Sequence, residues 1–133
     1  MSLTASRINS LSLVIVPVSD QDGQIEFYEK LGFEKRTDIP FGGQYRWVEV
    51  YLPGNSTGIA LAPPPPGGES GNRETGISLS TDDIDATHEH LKSLGVDVDA
   101  QVARMGDPVP PMFWLRDPEG NSLLIVQTSQ SES

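Results

Sequence analysis

The chain contains an internal repeat with a spacing of 63 residues, and this repeat limits the possible folds more than any other feature. Residues 19–33 (SDQDGQIEFYEKLGF) align with residues 82–96 (DDIDATHEHLKSLGV) with five identities in fifteen positions. The identical positions are spread over the whole segment, from Asp20 and Asp83 near its start to Gly32 and Gly95 near its end. Such a repeat indicates that one supersecondary unit occurs twice.

Both segments carry the signals of a short amphipathic helix. Ser19 and Asp82 are of residue types that cap helix N-termini. A glycine near the end of each copy suits the left-handed residue that follows a helix C-terminus. The apolar residues between these signals share one helical stripe per copy, namely Ile25, Tyr28 and Leu31, then Ile84, Leu91 and Leu94. Unrelated helices also share such features. Whether the repeated unit extends beyond the helix is therefore judged from the flanking segments.

The flanks repeat as well. One strand-like run precedes each helix and three follow it, at 11–18, 33–37, 45–51 and 58–62, then at 77–81, 98–103, 112–116 and 122–127. The run PPPPGGESGNRE, residues 63–74, separates the two sets and cannot form a helix or a central strand. We therefore predict one α+β domain over residues 9–128, with tails 1–8 and 129–133. It divides into a βαβββ module over 9–62, a linker over 63–74 and a second βαβββ module over 75–128.

This duplication resembles the vicinal oxygen chelate superfamily, which includes glyoxalase I, bleomycin and fosfomycin resistance proteins, and extradiol dioxygenases. Two phrases carry the resemblance, VPVSDQDGQIEFYEKLGF at 16–33 and FWLRDPEGNSLLIVQ at 113–127. The resemblance implies two modules related by a pseudo-twofold axis, whose cupped and mostly antiparallel sheets form a cleft. It also implies a homodimer, in which halves from different chains sometimes share each cleft.

The composition excludes several partners. A formal charge of −10 at pH 7, with no basic stripe, argues against nucleic acid and anionic membranes because phosphates would be repelled. Cysteine is absent, which removes disulfide and thiol chemistry and is compatible with a reducing cytoplasm. No apolar run approaches the roughly 18 residues that cross a bilayer, and the N-terminus shows no signal-peptide pattern. We expect a soluble cytoplasmic protein.

The resemblance also implies where a metal would bind, because enzymes of the superfamily hold a divalent cation with His and Glu or Gln side chains from four strands. In this sequence those positions fall on Leu13, Gly76 and Leu124, and on Ile59 or Leu61 in the last strand of the first module. None of these side chains can donate an electron pair to a cation. We therefore expect no metal and no other cofactor.

The two histidines do not supply a replacement site. His88 and His90 stand two positions apart on a predicted helix, so they point in different directions and cannot chelate one ion together. His88 falls on the apolar stripe and is expected to lie half-buried in the core. His90 is expected in solvent.

The candidate site is instead a pair of aromatic strand faces. Alternation places Arg46, Val48 and Val50 on one face of the strand at 45–51, and Tyr45, Trp47, Glu49 and Tyr51 on the other. The valines are expected to pack under the helix. The opposite faces of this strand and of the strand at 112–116 should line the cleft. The predicted ligand-binding residues are Tyr45, Trp47, Glu49, Met112, Trp114, Arg116, Leu13 and Leu124. Tryptophan and tyrosine in strands also serve simply as core or interface residues, which is the plain structural alternative.

Three functions remain open at this point. The first is a metal-free protein that binds an aromatic or apolar small molecule, as in the bleomycin-resistance branch of the superfamily. The second is a glyoxalase-like lyase or epimerase with chemistry not recognised in the sequence. For this enzyme Glu49 is a weak candidate general base, and no catalytic residue is otherwise assigned. The third is a structural or regulatory dimer module whose cleft is a packing seam. The ligand itself cannot be named from the sequence.

Overall fold

The computed structural model describes residues 7–43 and 45–128 and contains the two predicted βαβββ units. The first consists of β1 (Leu13–Pro17), α1 (Gln21–Lys30), β2 (Glu34–Pro40), β3 (Arg46–Tyr51) and β4 (Gly58–Ala62). The second consists of β5 (Glu74–Thr81), α2 (Ile84–Ser93), β6 (Asp97–Val98), β7 (Met112–Arg116) and β8 (Ser122–Gln127). Each unit forms a four-stranded mixed sheet, ordered β1-β4-β3-β2 and β5-β8-β7-β6. The predicted α+β class is confirmed.

The N-cap of each helix lies one residue later than predicted. Asp20 and Asp83 are the N-caps, and each carboxylate accepts a hydrogen bond at 3.1 Å from the backbone N–H three residues further on. The sequence-based assignment of the caps to Ser19 and Asp82 was therefore wrong by one position. For α1 the reason is tertiary, because the backbone N–H and the hydroxyl of Ser19 both donate to a side chain of the other module.

The helix C-termini agree better with the sequence. Gly32 has φ of 103° and Gly95 has φ of 83°, which confirms that these glycines are the left-handed residues that end the helices. Leu94 departs from its predicted place on the buried stripe, since 37% of its surface is exposed. It lies at the C-cap, beyond the last residue of α2, where the chain is already turning away from the sheet.

The strand predicted at 98–103 is mostly absent. Regular pairing of β6 is limited to Asp97 and Val98, and an isolated bridge joins Ala103 to the start of β7. The ladder is interrupted because the carboxylate of Asp99 accepts the backbone N–H of Trp114 at 3.0 Å, in place of a backbone carbonyl. A side chain that competes for a ladder hydrogen bond shortens the strand.

One face of each sheet carries the helix of its own module, and the two helix-bearing faces meet inside the chain. Their side chains form a single hydrophobic core across both modules. A cavity between the sheets is lined by Val14 and Ile59 from the first and by Ile77 and Leu79 from the second. The opposite side of each sheet carries no helix, and we call it the open face.

Glu119, in the turn between β7 and β8, joins the second module to the start of α1. Its carboxylate accepts the backbone N–H groups of Ser19 at 2.9 Å and Asp20 at 3.0 Å, and the amide of Gln24 at 3.3 Å. These donors include the N–H of Asp20, the N-cap of α1, near the end of the helix where the dipole favours a negative charge. Burial raises the pKa of Glu119, but these hydrogen bonds outweigh burial and the pKa lies below its usual value.

Within the described residues, no helix has both the length and the apolar character needed to span a membrane.

Candidate functional site

The predicted site residues of the first module lie on the open face of its sheet. Val48 and Val50 are fully buried on the helix-bearing face, as predicted, and this places Trp47, Glu49 and Tyr51 on the open side. Across the sheet, Glu49 is opposite Ala60 of β4, and Ala60 is opposite Ile15 of β1 in turn. The open face therefore has small and aliphatic residues at its centre and an aromatic row beside them.

This register corrects one detail of the metal-site prediction. Ile59 and Leu61 pair with Val50 and Val48, so both lie on the helix-bearing face and not on the open face. The residue of β4 that faces the site is Ala60, which also has no metal-ligating atom. The sequence could not show which residues of β4 share the open face. This strand is buried on both sides, and its uniformly apolar sequence has no polar alternation.

A hydrogen-bonded cluster lies at the middle of this face. Glu49 accepts from the indole N–H of Trp47 through Oε2 and from the hydroxyl of Tyr51 through Oε1, both at 2.7 Å. The bond to Glu49, followed by burial, raises the pKa of Tyr51, so this hydroxyl stays protonated and acts as the donor. The Arg36 guanidinium stacks over the Tyr51 ring, 4.7 Å from its centroid.

The cluster depends on a glycine in the neighbouring strand. The Tyr51 ring lies directly on Gly58, and a Cβ added there would come within 2.6 Å of two ring carbons. A larger residue would displace the ring and break its bond to Glu49. Sequence reasoning placed Tyr51 on the correct face but missed its role and that of Arg36. The spacing of two between Trp47, Glu49 and Tyr51 was the available signal, because it puts two donors beside one carboxylate.

The predicted residues of the second module also share an open face. Met112, Trp114 and Arg116 lie on one side of β7, opposite the buried Phe113 and Leu115. Leu124 of β8 is opposite Trp114 and next to Ser78 of β5. The indole is partly exposed, at 37%. Arg116 is held by ion pairs to Asp97 and Asp99, each at 3.1 Å.

An exposed aromatic pair lies beside the turn that joins β2 and β3. Tyr45 and Phe41 flank the β2–β3 turn, with ring centroids 6.0 Å apart, and more than half of each side chain is exposed. Tyr45 was a predicted ligand-binding residue, whereas Phe41 was not singled out.

The positions at which the resemblance implies metal ligands lie on both sheets. Leu13 is opposite Gly58 on the first open face, and Gly76 and Leu124 belong to strands of the second sheet. Over residues 7–43 and 45–128, no three His, Asp or Glu side chains are grouped so that they could hold a metal ion. His88 is half-buried as expected, with its ring 4.9 Å from that of Phe113 and its Nε2 2.7 Å from the Asp99 carbonyl oxygen. His90 is exposed.

The open faces of the two modules are not in direct contact among the described residues. Among the described residues, no hydrogen bond, ion pair or ring contact joins the face of Trp47 to the face of Trp114. The modules instead meet through their helix-bearing faces and through Glu119. The sides of the two sheets that carry Trp47 and Trp114 take no part in this contact.

Comparisons with known proteins agree with this architecture. TnmS3, an antibiotic binding protein from Streptomyces sp. CB03234, is 35% identical and superimposes with a TM-score of 0.78 over 93% of this chain and 99% of its own. A superfamily member from Sphaerobacter thermophilus is 34% identical, with a TM-score of 0.81 over 91% and 98% of the two chains. YurT of Bacillus subtilis is 32% identical over 120 residues, 83% of this chain and 92% of YurT. A family profile matches residues 7–125, and the chain belongs to the Glyoxalase/Bleomycin resistance protein/Dioxygenase superfamily.

Proposed function

We propose that this chain is a small-molecule-binding protein that holds a flat aromatic or apolar ligand against Trp47 and Trp114. The main support is the position of these residues, which are the two tryptophans of the chain, each on an open face. Tryptophan offers a large stacking surface at low entropic cost. The similarity to TnmS3, which is an antibiotic binding protein, also favours binding of a small organic molecule.

Two further observations favour binding over catalysis. The resemblance assigns the cation ligands of the superfamily to Leu13, Gly76 and Leu124, and the register of β4 adds Ala60 in place of Ile59 or Leu61. None of these side chains can bind a cation, so we propose that binding needs no metal. Both oxygens of Glu49, the candidate base, accept short hydrogen bonds from ring donors. Both oxygens of this carboxylate are therefore already engaged by side chains of the chain itself. We assign no catalytic residue.

We also propose that the ligand site is completed by a second copy of the chain. The open faces leave apolar side chains in solvent, including Ile15 at 58% exposed and Trp114 at 37%. In a homodimer, the first-module face of one chain would cover the second-module face of its partner. A flat ligand would then lie between Trp47 and the partner subunit's Trp114. This arrangement would bury the aromatic row of the first module and Trp114 of the second, which a single chain leaves open.

A fluorescence titration with acridine, a neutral three-ring aromatic, tests the binding function. Both tryptophans face the proposed site, so we expect acridine to quench the intrinsic emission of the chain, and of single-tryptophan variants Trp47→Phe and Trp114→Phe. Trp47→Ala should weaken binding about tenfold with little loss of fold, because it removes one stacking surface. Addition of a chelator should leave the affinity unchanged.

Met105→Ala is the matched control, since Met105 is 67% exposed and lies outside both open faces. This variant should bind acridine as the unaltered chain does. Emission that stays constant up to the solubility limit of acridine would contradict the proposed function. Loss of binding on chelation would contradict the metal-free site.

A further inference from the structure

We infer that the ligand carries a cationic N–H group, which binds the carboxylate of Glu49. This inference rests on the proposed function and adds the charge of the ligand to it. The observation behind it is an acidic side chain that two neutral ring donors hold on the first open face, with no cationic nitrogen of the described residues within ion-pair distance.

The hydrogen bonds of Glu49 leave part of its accepting capacity free. Each oxygen accepts one bond, from Trp47 on one side and from Tyr51 on the other. An ionised carboxylate has about four acceptor positions, so about two remain. The two donors are neutral, and they fix the orientation of the carboxylate without cancelling its charge. Glu49 is thus a preorganised acceptor between two aromatic rings.

Other carboxylates near the two sheets have cationic partners, and Glu49 differs from them. Asp97 and Asp99 pair with Arg116, and the Glu34 carboxylate lies 3.7 Å from the Arg36 guanidinium. No Lys, Arg or His nitrogen of the described residues lies within the 4.0 Å ion-pair distance of Glu49. The charge of Glu49 therefore remains available to a ligand.

The cluster already binds one cation by a ring face. Arg36 lies over the Tyr51 ring at 4.7 Å, on a strand next to β3, and does not pair with the carboxylate. A planar ligand with an amidinium or protonated amino group would make a charge-assisted hydrogen bond to Glu49 and a cation–π contact with Trp47. An anionic ligand of the same shape would meet the carboxylate at close range in a partly dry site.

Three acridines of nearly equal shape test this inference by isothermal titration calorimetry near neutral pH. They are 9-aminoacridine, which is cationic, acridine, which is neutral, and acridine-9-carboxylate, which is anionic. We expect 9-aminoacridine to bind at least about tenfold more tightly than acridine, as one charge-assisted hydrogen bond would provide. Acridine-9-carboxylate should bind most weakly. This comparison uses the unaltered chain and needs no variant to fold.

The net charge of −10 attracts cations to the whole surface, so a variant pair must localise the effect. Glu49→Gln removes the proposed contact, whereas Glu89→Gln removes the same charge from an exposed position on α2. In Glu49→Gln the affinities for 9-aminoacridine and acridine should differ by no more than about twofold. Glu89→Gln should keep the full preference, and thermal melts should show that both variants are folded.

The outcomes separate the two proposals. Equal affinity of the unaltered chain for 9-aminoacridine and acridine would overturn the inferred charge of the ligand and leave the proposed function standing. An equal loss of preference in Glu49→Gln and Glu89→Gln would overturn the role of Glu49 in the same way. Failure of all three acridines to bind would overturn the proposed function, and this inference with it.

Discussion

At the scale of single residues, Glu119 shows what a local reading of the sequence cannot detect. The start of α1 offers a serine and an aspartate as possible caps, and both are good caps in isolation. The serine is engaged by Glu119, 100 positions away, so the aspartate caps the helix. By contrast, the spacing of Trp47, Glu49 and Tyr51 was sufficient to place all three on one face. Local spacing could be predicted, and long-range polar partners could not.

Glu119→Gln should destabilise the fold by about 1 kcal/mol at neutral pH, because an amide cannot accept all the donors that the carboxylate accepts. The destabilisation caused by Glu119→Gln should become smaller as the pH falls. The pKa of Glu119 is lower in the folded chain than in the unfolded chain, so its stabilisation is complete above the unfolded pKa. It is lost as pH falls below about 4.5 and through the folded pKa.

Thermal melts of the unaltered chain and of Glu119→Gln across this pH range test the prediction. The two melting curves should converge at low pH. Glu89→Gln, at an exposed position on α2, should melt like the unaltered chain throughout. A constant difference between Glu119→Gln and the unaltered chain at all pH values would show that the charge of Glu119 is not involved.

At the scale of elements, turns and alternation determined which strands could be predicted. The strands at 58–62, 112–116 and 122–127 have the predicted bounds, because turn residues flank each of them. The prediction of a strand at 98–103 was wrong beyond Val98, since the side chain of Asp99 replaces a backbone acceptor. The face of β4 also escaped prediction, because a strand buried on both sides has no polar alternation.

Gly95→Ala tests the helix-ending role that the repeat predicted. Gly95 has φ of 83° and no atom within 4 Å of an added Cβ, so the substitution introduces backbone strain without a clash. We expect a loss of about 1 kcal/mol of unfolding free energy, measured by chemical denaturation. Gly95→Asn should lose less, because asparagine tolerates the left-handed region. Equal stability of Gly95→Ala and the unaltered chain would contradict a left-handed residue at this position.

At the scale of the whole molecule, the repeat predicted the fold but not how its halves pack. Two βαβββ units and the aromatic composition of their faces follow from local patterns. The contact between the helix-bearing faces depends on residues far apart in sequence, such as Val14 and Ile77. For this reason the tryptophans could be placed on their faces, whereas their separation within one chain could not be foreseen. The proposed shared site follows from that separation.

Mixed dimers of Trp47→Ala and Trp114→Ala chains test the shared site most directly. In a dimer that pairs open faces from different chains, a mixed dimer has one site with both tryptophans and one with neither. Each variant alone should bind acridine weakly at every site. Co-expression of the two variants should therefore restore a fraction of the sites to the full affinity of the unaltered chain. Light scattering should show that these proteins have twice the mass of one chain. Weak binding at all sites of the mixed dimers, or a monomeric mass with full binding, would contradict the account.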